Sequence, residues 1–241
     1  MNNPFPQCWR CSNKPHKFDP GCGHGITLKL LGEVIDELGI ANKTVLGWDI
    51  GCSLLAWDLF DVDAVQTHHG RTVPVMSGFK KSRPDSIAIA YTGDGGGYAI
   101  GLHHLLNSAQ RDENISVILI NNANYGMTGG QEAPTTLPGQ KTSTTPNGAD
   151  ELFMRGPELV QVANKNAFSA RGTVRQPLVL KKMLRELIES QQNGHFGFLE
   201  ILSGCPTNWK TDAKGTMEFL KRMEEYFPTS RPHPPTPLPT C

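Results

Sequence analysis

Between Ser86 and Gln131 the chain reads as strand, glycine-rich turn, helix, strand and polar pair. Ile87-Ala88-Ile89-Ala90-Tyr91 is a short apolar run of the kind that forms a buried strand. Thr92-Gly93-Asp94-Gly95-Gly96-Gly97 cannot continue it. Tyr98 to Arg111 then places Leu102, Leu105, Leu106 and Ala109 at helical spacing, and the apolar run Ile115–Ile120 stops abruptly at Asn121-Asn122. A unit of this kind joins two parallel strands through a right-handed crossover. Asp94 and Asn122 therefore fall at the carboxyl ends of two strands, the edge at which open α/β sheets bind ligands.

Asp94 and Asn122 both offer oxygen, which suits a hard cation such as Mg²⁺ or Ca²⁺. Mg²⁺ favours few protein ligands plus phosphate oxygens. The glycines let backbone approach a phosphate, and the helix start near Tyr98 supplies free N–H groups and a positive dipole end. The residues thus fit a Mg²⁺–diphosphate site. They also fit an ordinary strand-to-helix turn in which glycine serves geometry and Asp94 caps the helix.

Composition narrows the classes. In 241 residues the 23 basic and 23 acidic side chains balance, with no basic stripe of the kind nucleic-acid binding needs. No apolar run approaches the roughly 20 residues that span a membrane, and Met1–Pro6 lacks the regions of a signal peptide. The expectation is a cytoplasmic protein. Six cysteines in a reducing compartment point to metal or redox chemistry before disulfides.

Along the chain, residues 1–25 show no periodicity and form an arm carrying Cys8 and Cys11 as a CxxC pair. Asp19-Pro20-Gly21-Cys22 repeats that spacing with Asp first. A helix is expected over 26–38, capped by Gly39, and a strand over 44–49 ending at Gly51-Cys52-Ser53. Residues 58–65 are ambiguous. Helices are expected over 74–83, 158–170, 176–192 and 217–227, and a strand over 196–202 ending at Gly204-Cys205-Pro206. The long polar segment 123–157 is the length of a functional loop, expected to bind and to meet a partner chain. Residues 228–241 read as a Pro-rich tail. The division expected is an arm (1–25), a central domain (26–209) and a C-terminal helix with tail (210–241).

Gly93-Asp94-Gly95 followed by Asn121-Asn122 resembles the thiamine diphosphate motif. More specifically, Tyr125-Gly126-Met127-Thr128-Gly129-Gly130-Gln131 and Ala133-Pro134-Thr135-Thr136 resemble the β (thiamine diphosphate-binding) subunit of the 2-oxoacid:ferredoxin oxidoreductases. The resemblance runs from Pro20–Gly25 through Gly51-Cys52-Ser53, His69-Gly70-Arg71 and Gly139–Thr142 to Cys205–Trp209. It implies an α/β, mostly parallel sheet with helices on both faces, of the pyrophosphate-binding type. It implies Mg²⁺ held by Asp94, the Asn122 side chain and the Asn124 carbonyl. Gly93, Gly95, Gly96 and the turn Tyr125, Gly126, Met127, Thr128 would line the diphosphate. Gly96 stands where many relatives carry a second Asp.

The same resemblance implies a [4Fe–4S] cluster, with Cys22, Cys52 and Cys205 as ligands and Asp19 where a fourth cysteine belongs. A carboxylate can ligate iron, though it is harder than thiolate. The other options are Cys11 or Cys8, loss of the cluster, or a three-iron form. A zinc site from Cys8, Cys11 and His16 or His24 is an alternative for the arm, as are free thiols. His69 is the catalytic candidate near the thiazolium ring. His103, His104 and His195 read as structural or surface residues, and the partner of Arg71 is open.

The implied activity is oxidative decarboxylation of a 2-oxoacid to an acyl-CoA, with electrons passing through the cluster to ferredoxin. 2-Oxoglutarate or a branched-chain 2-oxoacid is favoured by Met127-Thr128-Gly129-Gly130. The pyrimidine-binding domain would come from a separate α subunit, with γ and ferredoxin-like subunits in the complex. Two other readings are a cluster-less decarboxylase half-subunit and a non-catalytic scaffold.

Overall fold

A computed structural model describes residues 5–10, 16–150 and 153–229. Cys11 and Cys241 lie outside these, as does the tail from residue 230. Six strands, β1 (Thr44–Trp48), β2 (Asp63–Gln66), β3 (Ile87–Gly93), β4 (Ser116–Asn121), β5 (Phe168–Thr173) and β6 (Gly197–Leu202), form one all-parallel sheet in the order β2-β1-β3-β4-β6-β5. The register sets Gly93 beside Ile120 and Asn121 beside Leu202. The loops after β1, β3, β4 and β6 therefore leave four successive neighbouring strands at a single edge.

Alternation along the strands divides the core. Leu46, Trp48, Ile89, Tyr91, Ile118 and Ile120 face a layer made by α1 (Gly23–Leu38), α5 (Pro177–Gln192) and α7 (Ala213–Tyr226). Val45, Ala88, Ala90, Val117 and Leu119 face α2 (Thr72–Ser82), α3 (Leu102–Gln110) and α4 (Gly156–Ala163). Strands covered on both faces read as continuous apolar runs, which is why β3 and β4 are visible in the sequence. Among the described residues no helix is long and apolar enough to cross a membrane.

The helix predicted over 158–170 is corrected: α4 ends at Ala163 and Phe168–Thr173 is an edge strand. Arg171 hides it, because this fully buried guanidinium sits in the strand paired with Glu200 of β6 at 2.6 Å. The ambiguous stretch 58–65 runs into β2. α1 starts three residues earlier than the periodicity suggests and ends as expected, at Gly39 in the left-handed region with its N–H on the Asp36 and Ile35 carbonyls. The arm is held by packing. The Pro6 ring lies where a side chain on Gly32 would stand, Cys8 and Asp61 share a backbone hydrogen bond, and Trp9 packs on Phe60. Cys8, Phe18, Leu220, Met223 and Phe227 all belong to the core under α1.

Candidate thiamine diphosphate site

Strand β3 ends at Gly93, and Asp94 caps the turn that follows, its Oδ1 accepting from the Gly95 amide at 2.8 Å. The helix begins at once, as a single wide π-helical turn over Gly95–Ile100, before α3 continues it. Such turns recur at functional sites. Asp94 is buried, and its Oδ2 accepts from the Thr135 hydroxyl at 2.6 Å. Burial pushes its carboxyl up to about 6, partly offset by Thr135 and the Gly95 and Asn122 amides. A buried carboxylate with no cationic partner is chemically suited to ligating a cation.

Asn122, one strand over, supplies the complementary feature. Its Oδ1 is buried and lacks any hydrogen-bond partner. Buried amide oxygens are almost always paired, so this one fits a metal ligand. The backbone that aims it is strained. Ala123 has φ 55°, unusual for a residue with a side chain. Its N–H donates to Asn121 Oδ1 at 3.1 Å, and its carbonyl accepts from Thr136 at 3.0 Å and Gln140 at 2.9 Å. The Asn122 carbonyl accepts from Trp209 Nε1 at 3.0 Å and Asn124 Nδ2 at 2.7 Å. Residues 123–150 are thus a polar strap laced to the end of β4.

A cavity of about 110 Å³ opens at this edge, lined among others by His69, Gly93, Asp94, Gly95, Gly96, Asn122, Asn124, Tyr125, Gly126, Met127, Thr128 and Cys52. Every residue named for the cofactor borders it. Tyr125 lies over the loop, its ring only 2.1 Å from where a Cβ on Gly95 would be, so a side chain at 95 would push the ring off the loop. His69 is exposed. A larger depression of about 490 Å³ lies at the amino edge, between Asn42–Val45 and Arg83–Ser86, away from these groups.

The three cysteines arrive from different elements. Cys22 precedes α1, Cys52 follows β1 after Gly51 (φ 113°), and Cys205 follows β6. The Gly23 amide donates to the Gly204 carbonyl at 3.3 Å, bringing the first and last together. Burial pushes Cys22 up to about 11 and Cys52 up to about 12, and the Cys205 thiol adds to both. Thiols crowded without compensating positive charge fit a group that takes them as thiolates. Asp19 is exposed, also acts on Cys22 and Cys52, and accepts from Thr207 at 2.5 Å. Among the described residues, no three His, Cys, Asp or Glu side chains converge tightly enough for a lone metal ion. A multi-iron cluster spaces its ligands more widely.

Cys8 is not among them. Its thiol is buried against the Gly32 carbonyl at 3.4 Å, ten residues along α1 from Cys22, roughly 15 Å by helical rise. Burial and Asp36 push it up to about 12. His24 is committed elsewhere: it is buried, stacked on Phe18 at 4.8 Å, with Nδ1 2.9 Å from the Tyr91 hydroxyl. A zinc site joining Cys8 to His24 is therefore corrected. Arg71 Nη1 lies 3.1 Å from His104 Nε2, and His195 pairs with Asp112.

Residues 49–201 match the family described as thiamine pyrophosphate enzyme, C-terminal TPP binding domain. The chain is 41% identical over 217 residues to the ketoisovalerate oxidoreductase subunit VorA of Methanothermobacter thermautotrophicus, covering 86% of this chain and 46% of that one. It is 34% identical over 226 residues to the 2-oxoglutarate synthase subunit KorB of Methanothermobacter marburgensis, covering 92% of this chain and 78% of that one. The chain belongs to the β-subunit family of the 2-oxoacid:ferredoxin oxidoreductases. A solved 2-oxoglutarate:ferredoxin oxidoreductase from Magnetococcus marinus, with 2-oxoglutarate, coenzyme A and succinyl-CoA bound, superposes with a TM-score of 0.80 at 29% identity. That match covers 92% of this chain and 74% of that one. The present chain spans about half the length of the ketoisovalerate relative. In this oxidoreductase family member, two contributors escaped motif reading. Asp49 underlies the glycine loop, and the Arg171–Glu200–Asn121 network backs Asn122. Neither lies in a recognisable pattern, although an acid two residues before Gly51-Cys52 was a legible signal for the first.

Proposed function

We propose that this chain is the cofactor-binding half of an enzyme that oxidatively decarboxylates a 2-oxoacid to an acyl-CoA. The observation that carries the reading is the partnerless Asn122 Oδ1 beside the buried Asp94 carboxyl, at one edge of adjacent strands. Asp94, Asn122 Oδ1 and the Asn124 carbonyl would hold Mg²⁺. Gly93–Gly96 and Tyr125–Thr128 would receive the diphosphate. Thiamine diphosphate, when bound, supplies the carbanion chemistry that decarboxylation requires. His69, which borders the cavity, would hold or move a proton there.

Cys22, Cys52 and Cys205 would hold a [4Fe–4S] cluster with Asp19 as fourth ligand, and ferredoxin would take the electrons. An α subunit would bring the pyrimidine-binding domain, with γ and ferredoxin-like subunits completing the complex. The names of the relatives support a branched-chain 2-oxoacid or 2-oxoglutarate as substrate. The test is an acceptor-dye assay of the reconstituted complex against a panel of 2-oxoacids with coenzyme A. Turnover of a branched-chain acid or 2-oxoglutarate is expected, and silence across the panel overturns the reading.

One observation favours a second reading, a cluster-less thiamine diphosphate unit. Asp19 is exposed and already engaged by Thr207. Iron and sulfide analysis of anaerobically prepared protein separates the two.

A further inference from the structure

Gly96 has no side chain, yet the space for one is filled. A Cβ built on Gly96 would lie 1.9 Å from Asp49 Oδ2 and 3.1 Å from its Cγ. Asp49 leaves the end of β1, is wholly buried, and reaches beneath the glycine loop. Its carboxylate is fully used. Oδ1 accepts from the Gly70 amide at 3.0 Å and the Ile50 amide at 3.0 Å, and Oδ2 accepts from the Thr92 hydroxyl at 2.5 Å. These donors belong to three segments: the turn carrying His69, the loop running to Cys52, and the end of β3.

The turn carrying His69 and the glycine loop touch backbone to backbone. A Cβ on Gly70 would lie 2.6 Å from the Gly101 amide and 2.9 Å from the Gly96 carbonyl. No side chain fits between them. Asp49 reaches beneath both, accepting from the Gly70 amide and filling the space at Gly96.

We propose that Asp49 is a positioning residue that takes, from the end of β1, the side-chain space of position 96. It fixes the floor of the diphosphate loop and the register of His69 above it. This rests on the thiamine diphosphate reading. The backbone at Gly96 lies outside the left-handed region, so a side chain there is restricted by its neighbours alone, chiefly Asp49 Oδ2, with the Thr92 hydroxyl at 2.9 Å having to give slightly. An aspartate there, with residue 49 reduced to glycine, would enter the vacated space facing the same three donors.

The experiment is a reciprocal swap in the complex with its partner subunits, using Asp49→Gly, Gly96→Asp and the double variant. Calorimetry with thiamine diphosphate and Mg²⁺ gives affinity, and melting gives fold stability. Asp49→Gly leaves three donors unpaired and should weaken cofactor binding about tenfold or more. Gly96→Asp alone forces two carboxylates into one space and should weaken it comparably. The double variant should recover to within about threefold of the parent, a factor worth less than a typical hydrogen bond. The conservative Asp49→Asn, which keeps the shape and one acceptor, should lose less than Asp49→Gly. A double variant no better than the worse single, or parental affinity in Asp49→Gly, overturns the proposal. Recovery of melting without recovery of affinity reduces Asp49 to a structural residue and also overturns it. Failure of the parent complex to bind thiamine diphosphate would instead overturn the cofactor reading. The melting series would then still decide whether the two positions share one side-chain space.

Discussion

The Thr135 hydroxyl donates to Asp94 Oδ2 at 2.6 Å across 41 residues of sequence, tying the polar strap to the capped turn after β3. Asp94 is thereby held on both oxygens, by the Gly95 amide and by Thr135, which fixes its orientation. Partners of this kind typically contribute 10–100-fold to metal affinity, roughly 1.4–2.7 kcal/mol. Thr135→Val removes the donor and keeps the shape. We expect thiamine diphosphate to need about tenfold or more additional Mg²⁺ in that variant, with little change in melting temperature. A titration of Mg²⁺ against cofactor binding reads this directly.

Behind Asn122 lies a buried ionic network. Arg171 Nε donates to Glu200 at 2.6 Å, its two terminal nitrogens bind Glu158 at 2.9 and 2.8 Å, and Glu200 accepts from Asn121 at 2.7 Å. Arg171 and Glu200 are 1% and 0% exposed, so neither charge can be relieved by water. Arg171→Met strands Glu200 and should cost about 3–5 kcal/mol in urea unfolding. Pairing it with Glu200→Gln, which keeps an acceptor for Asn121, should restore part of that loss. A double variant as unstable as the single would show that Arg171 acts through packing.

His24 predicts a pH dependence. Burial among Phe18 and Tyr91 lowers it from 6.5 to about 3 in the folded chain. The unfolded chain therefore binds a proton that the folded one refuses, throughout the window between those values. Stability is fully present above about pH 6.5 and falls as the pH drops below it, by up to about 1.4 kcal/mol per unit from this group. His24→Gln keeps a neutral side chain and removes the titration. Its melting temperature should fall less steeply between about pH 6 and pH 4 than that of the parent. Parallel curves would reject the assignment.

The parts legible in the sequence were those in which local chemistry and fold agree. β3, β4 and β6 are buried on both faces and appear as apolar runs, and Gly39 ends α1 where a cap residue should. Asp94 and Asn122 were legible because parallel crossover geometry carries them to a single edge. What stayed hidden depends on distant pairing. β5 is masked by Arg171, whose partners Glu158 and Glu200 lie 13 and 29 residues away. The strain at Ala123 is invisible because Thr136 and Gln140 impose it. Asp49 carries no motif; its meaning comes only from the missing side chain at Gly96.

Asp19 offers the sharpest test of the cluster. It stands three residues before Cys22, whose amide donates to the Asp19 carbonyl at 3.0 Å, and Thr207 steers its carboxylate toward the Cys205 loop. Hard oxygen holds soft iron less firmly than thiolate does. Asp19→Cys should therefore raise the iron and acid-labile sulfide retained after anaerobic purification and slow bleaching in air. Asp19→Ala should lower both, and Cys22→Ser, Cys52→Ser or Cys205→Ser should remove most of the visible absorption. Cys8→Ala should leave the iron content unchanged, since that thiol is spent on the Gly32 carbonyl. Equal iron in Asp19→Ala and the parent would remove Asp19 from the ligand set. Iron absent from every one of these proteins, Asp19→Cys included, would leave a thiamine diphosphate unit without electron transfer.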